Sequence, residues 1–148
     1  MSELEEIEQK YRRGELDPIK EDLERFLVAH REKIAACRAE QEGKGSPLPM
    51  DALVKYYILR HRSINPRREI SDQLDEIQKE KWIRGVHSGC PPDPQAVAED
   101  WARQYSDGWR RHRLNEIIFV FDQEKERYLR LLEGTTGTET SRPQSPPA

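Results

Sequence analysis

At 148 residues the chain has room for one domain, or one domain and a tail. Its apolar share is 34% and its charged share 36%, against roughly half and a quarter in an ordinary globular domain, so a thick core is excluded and the apolar residues must either line an elongated helical assembly or be completed by a partner or a second copy. A net charge of -3 excludes a global field toward nucleic acid or anionic lipid, and two cysteines exclude a disulfide framework.

No apolar run approaches the roughly 20 residues that cross a bilayer. No secretory signal pattern opens the chain, and the expected compartment is the reducing cytoplasm. Charge is uneven: the two ends are mildly acidic, and the stretch from about residue 43 to 113 is mildly basic.

Residues 2–13 predict a first helix, with Ser2 as cap, glutamates in the first turn and Gly14 as stop. A second is predicted from Asp17-Pro18, with Asp17 as cap, to the Gly43-Lys44-Gly45 turn. Ile19, Leu23, Phe26, His30, Ile34 and Cys37 form a heptad-like stripe along it, and Glu21–Arg25 is a favourable pair on its wet face. A third helix over about 50–62 carries Leu53, Val54, Tyr56, Tyr57, Ile58 and Leu59 around most of its circumference, which predicts a central position. Asn65-Pro66 opens a fourth, to about Arg84, with Ile70, Leu74 and Ile77 as its buried face, an Asp75–Lys79 pair, and Gly85 as stop.

Asp93-Pro94 starts a fifth helix burying Val97, Trp101 and Tyr105, and Ser106-Asp107-Gly108 predicts a break or kink. The last helix spans about 108–133, with Leu114, Ile118, Phe121, Tyr128 and Leu132 on one face. Within it, residues 117–121 (Ile-Ile-Phe-Val-Phe) have strong strand propensity. No other run offers a strand partner, so the segment is read as helix, buried all round. The fold expected is all-α, five or six helices in an antiparallel bundle or helical array, with one helical domain over 1–133 and a disordered tail over 134–148, where Thr, Ser and Pro predominate.

Chemistry-bearing motifs are weak. Gly43-Lys44-Gly45-Ser46 lacks the spacing and the preceding strand of a phosphate loop. His87 and Cys90 share one loop and suggest a metal or thiol site, but structural zinc wants four soft ligands. The remaining histidines and Cys37 are scattered, and no paired Glu-x-x-His pattern marks a di-iron bundle. Cys90-Pro91 is too short to argue for haem, and a Cys90–His dyad lacks an orienting third group. No catalytic, cofactor or metal residue is assigned, and an enzyme is the less favoured expectation. No segment carries a motif specific enough to name a family.

The clearest surface feature is basic: Arg60 and Arg62, Arg67 and Arg68, and Arg110, Arg111 and Arg113 beside Trp109. Arginine forks suit phosphate, but carboxylates are abundant, and cations at the start of a helix oppose its dipole. These eight residues are the candidate anion or partner surface. The function expected is a non-catalytic helical interaction module, a small accessory or regulatory subunit binding another protein or itself. The alternative is a nucleic-acid-associated accessory protein using the arginine clusters, and the third reading is the His87/Cys90 site.

Overall fold

The computed structural model describes residues 2–45 and 48–141, with side chains through Glu133. It is all-α: α1 (Glu3–Arg12), α2 (Asp17–Ala29), α3 (Arg31–Gly43), α4 (Met50–His61), α5 (Pro66–Ser88), α6 (Pro94–Gln123) and α7 (Lys125–Ser141). Among the described residues seven helices stand where five or six were expected. The long second helix bends at His30 and the last bends at Glu124, while the fifth and sixth fuse into α6. Both bends keep helical hydrogen bonds: His30 N–H donates to Phe26 O and Tyr128 N–H donates to Glu124 O. The expected tail begins at Gly134; α7 continues to Ser141, and residues 142–148 lie outside the described residues, as do Ser46 and Pro47.

Local signals explain most helix ends. Ser2 and Glu5 form a reciprocal capping box. The α1 C-terminus is closed by Gly14 at φ +79°, a left-handed conformation that costs a side-chain-bearing residue about 1–2 kcal/mol. Asn65 Oδ1 accepts from the Arg68 N–H, with Pro66 in the first turn. Asp17 is not the cap of α2: it lies inside the helix and Leu16 occupies the cap position with no side-chain bond.

Two expected stops are run through. Gly85 stays helical and α5 ends at Gly89, φ +75°. Ser106-Asp107-Gly108 does not break α6, because the Ser106 hydroxyl donates to Ala102 O at 2.5 Å and is satisfied within the helix.

By its internal contacts the chain divides into two compact units: unit 1, Met1–Ile64 with Glu116–Ala148, and unit 2, Asn65–Asn115. Unit 1 packs α2 against α3 and α7, and α4 against α3 and α7. Leu23, Leu27, Ile34, Val54, Ile58, Ile117, Val120, Phe121 and Tyr128 are fully buried. Residues 117–121 are helical, with Ile118 and Phe119 half-buried. Helix α4 is less central than its composition predicts, since Tyr56 and Leu59 are exposed.

Polar contacts tie the same unit. Lys10 pairs with buried Glu116 at 2.9 Å, Lys55 with Asp122 at 2.7 Å, and the Tyr11 hydroxyl donates to Glu124 at 2.8 Å. Burial pushes the Glu124 carboxyl up, but Tyr11, Lys20 and Arg127 together bring it below its usual range. The Tyr128 phenol, buried and donating to Lys20 O at 3.3 Å, is pushed up to about 12, chiefly by burial.

At the α2–α3 bend four rings meet. Phe26 stacks on His30 with centroids 4.2 Å apart, His61 stands edge-on to His30 at 4.6 Å, and Tyr57 stacks on His61 at 5.1 Å. The Tyr57 hydroxyl lies 2.6 Å from His30 Nδ1. Burial holds His30 below the ordinary imidazole value, and His61 and Lys33 add to the depression.

Candidate interaction surface

Unit 2 is built on an antiparallel pair, α5 and the N-terminal part of α6. Near the connecting loop Arg84 joins Asp100 at 2.9 Å. At the far end Arg110 pairs with Glu69, and Arg113 with Asp72 at 2.5 Å. Glu69 is 1% exposed. The half-buried Trp109 ring lies beside both arginines, with the guanidinium carbons 5.4 and 4.8 Å from its centre. Among the described residues, the buried apolar side chains of unit 2 are Val97 and Trp101 alone.

This packing fixes how α5 is rotated. At about 100° per residue, Glu69, Asp72, Glu76 and Glu80 share one side of the helix. That side faces α6 through the Glu69 and Asp72 ion pairs, and Glu76 and Glu80 line an open groove with Trp101 and Tyr105 of α6. Ile70, Leu74, Gln78, Trp82 and Val86 recur every fourth residue as an i, i+4 row that winds across the exposed half of the helix, with Leu74, Gln78 and Trp82 opposite the acids and Ile70 and Val86 toward the two flanks. The four apolar members are 58%, 54%, 70% and 61% exposed in order.

The expected buried face Ile70–Leu74–Ile77 is therefore corrected: Ile70 and Leu74 are exposed, and Ile77 is half-buried. The physical reason is charge. Helix α6 presents Arg110 and Arg113, and the carboxylate side of α5 is the one that pairs with them. Tyr105, expected to be buried, is exposed, whereas Val97 and Trp101 are buried as expected. The C-terminal half of the ridge borders an open groove of about 600 Å³, lined by Trp82, Gly85, Val86 and Pro92.

The arginine clusters are distributed as follows. Arg67 is exposed at the start of α5, and the Arg68 N–H is held by Asn65. Arg110 and Arg113 reach the first turns of α5, so the second and third clusters approach one another through Glu69 and Asp72. Arg111 is exposed. Arg60 and Arg62 belong to unit 1; Arg60 lies 5.7 Å from the Tyr56 ring centre, and Arg62 ends α4 at φ +68°. The expected Asp75–Lys79 pair is replaced by Glu76–Lys79 at 3.2 Å.

Cys37 and Cys90 are free thiols. Cys90 is exposed, with its N–H directed at Ser88 Oγ, and His87 is exposed too. Among the described residues no group of three or more His, Cys, Asp or Glu is arranged to hold a metal, and no helix is long and apolar enough to cross a membrane.

The exposed α5 ridge was missed at the sequence level, because periodicity locates an apolar face without saying what covers it. Acids at 69, 72, 76 and 80 opposite arginines at 110 and 113 were the available signal. No family model, no curated protein and no solved structure matches the chain.

Proposed function

We propose that this chain is a non-catalytic helical interaction module, a small accessory or regulatory subunit whose unit 2 engages another protein chain through the outer face of α5. The observation that carries the reading is the position of Leu74 and Trp82, exposed on the side of α5 opposite its ion pairs with α6, with Ile70 and Val86 exposed toward the flanks of that face. Exposed apolar side chains clustered within a polar rim mark binding surfaces, and tryptophan is among the residue types most enriched at binding hot spots. The lean composition agrees, since a chain with 34% apolar residues has few to spare for an unused surface. Free thiols at Cys37 and Cys90 support a reducing compartment such as the cytoplasm.

Incorporating the photo-crosslinker benzoylphenylalanine at position 82, in the cells that make the chain, tests the reading. Position 40 on the polar surface of α3 serves as control. A discrete covalent adduct from position 82 and none from position 40 is expected. Absence of any adduct from position 82 would overturn the proposal.

A further inference from the structure

Resting on the interaction-module reading, we infer that the occupant of the α5 ridge is a second copy of this chain, in a two-fold pair whose α5 helices run in the same sense. The argument comes from what flanks the ridge. Gln78 sits at its centre, with Leu74 and Trp82 one turn to either side and Ile70 and Val86 two turns out. Asp75 lies three residues before Gln78 and Lys81 three residues after it. At about 100° per residue this places them about 60° to opposite sides of the ridge.

Both are charged, and neither has an ion pair among the described residues, which in α5 is true also of Arg67 at its start, whereas Glu69, Asp72, Glu76, Lys79, Glu80 and Arg84 all have one. In an isologous pair of helices running in the same sense, each copy's one flank lies against the other copy's opposite flank. Asp75 then faces the second copy's Lys81, and the reverse pair forms by symmetry.

The ridge itself is compatible with its own copy. Leu74 and Trp82 meet their equivalents as apolar contacts. The Gln78 amide carries both donor and acceptor groups, so two Gln78 side chains satisfy each other, as a core asparagine does when it fixes register in a coiled coil. Ridges along i, i+4 rows pack with the helices crossing at about −50°. That crossing keeps the ridge residues together and carries the Arg67 side chains, which lie off the ridge line at the start of α5, apart from each other. With Leu74 and Trp82 at the contact and Ile70 and Val86 at its margins, the interface is small, in the class of weak, transient pairs, and a dissociation constant on the order of 10 µM is expected.

Sedimentation equilibrium of the full chain, from about 1 to 500 µM to bracket that constant, tests the inference. A reversible monomer–dimer equilibrium is expected. Asp75→Lys, which opposes lysine to Lys81 twice, is expected to weaken dimerisation about tenfold. Asp75→Lys combined with Lys81→Asp restores the complementary pairs and is expected to return the dissociation constant to within about threefold of the starting value. Trp82→Glu is expected to leave a monomer of unchanged helicity.

A wild-type chain that stays monomeric throughout, or a dimer that neither charge reversal nor Trp82→Glu disturbs, would overturn the self-pairing. A position-82 adduct of a mass other than two copies, with a monomeric chain, retires the second copy and leaves the module reading standing. Absence of any adduct retires both.

Discussion

Unit 1 and unit 2 are made from the same lean alphabet but held together differently. Among the described residues unit 1 buries fifteen apolar side chains. It also buries two carboxylates, Asp22 and Glu116, the latter paired with Lys10, while the Lys55–Asp122 pair lies nearer the surface. Unit 2 buries two apolar side chains and one carboxylate, Glu69, and joins its helices through arginine–carboxylate contacts. Its larger aliphatic and aromatic groups on α5 face outward. An apolar core gives a unit stability of its own, because burial is non-directional and sums over many side chains. Buried ion pairs fix geometry more than they add stability, because desolvation offsets most of the attraction. Unit 2 is therefore the unit whose stability depends on what covers it.

Substitutions sharpen the contrast, beginning with the largest effect. Phe121→Ala in unit 1 removes a fully buried ring stacked on Tyr128 and is expected to cost about 3–5 kcal/mol in chemical denaturation. Arg110→Ala in unit 2 removes a charged partner of the buried Glu69 and is expected to cost about 1.5–3 kcal/mol. Glu69→Gln paired with Arg110→Met is expected to recover most of that loss. A negligible effect of Arg110→Ala would break the claim that charge organises unit 2.

The pH response belongs to unit 1. The His30 imidazole is held below its ordinary 6.5 by burial first and by His61 and Lys33 next. A base depressed in the folded state binds fewer protons than it does unfolded. Its contribution is thus fully present above pH 6.5 and is lost as pH falls from there through the lowered folded value. A fall in melting temperature from pH 7 to pH 5 that is shallower in His30→Phe checks this. Identical profiles for the two chains would contradict it.

The smallest effect concerns the ridge. Ile70→Ser and Leu74→Ser are expected to change the stability of dilute protein by no more than about 0.5 kcal/mol, as exposed positions do, while abolishing association. Melting curves recorded at low concentration decide this, and a loss of several kcal/mol would make the ridge a core face.

Helix existence and most caps were legible in the sequence because they depend on local chemistry. Ser2 with Glu5 and Asn65-Pro66 required no knowledge of neighbours, whereas the helical reading of residues 117–121 ran against their strand propensity and rested on the lack of a partner run in the rest of the chain. The stops at Gly85 and at Ser106–Gly108 misled because glycine and serine weaken a helix without ending it, and Ser106 finds its acceptor inside α6. The bend at His30 was hidden because its cause is tertiary: rings from α2 and α4 converge there. At the candidate site the apolar period of α5 was readable, but its orientation was not. Which side of α5 meets α6 is decided by Arg110 and Arg113, about 40 residues away in sequence, and only their pairing with Glu69 and Asp72 shows that the apolar side is left to a partner.

All three tryptophans, Trp82, Trp101 and Trp109, lie in unit 2, so indole emission reports that unit alone while far-ultraviolet circular dichroism reports all helices. Urea unfolding followed by both signals, at low and high protein concentration, tests most directly whether unit 2 is completed by a covering chain. The emission transition is predicted to precede the main loss of helix and to move to higher urea as concentration rises, as mass action requires of a unit stabilised by association. Coincident transitions that do not depend on concentration would contradict it.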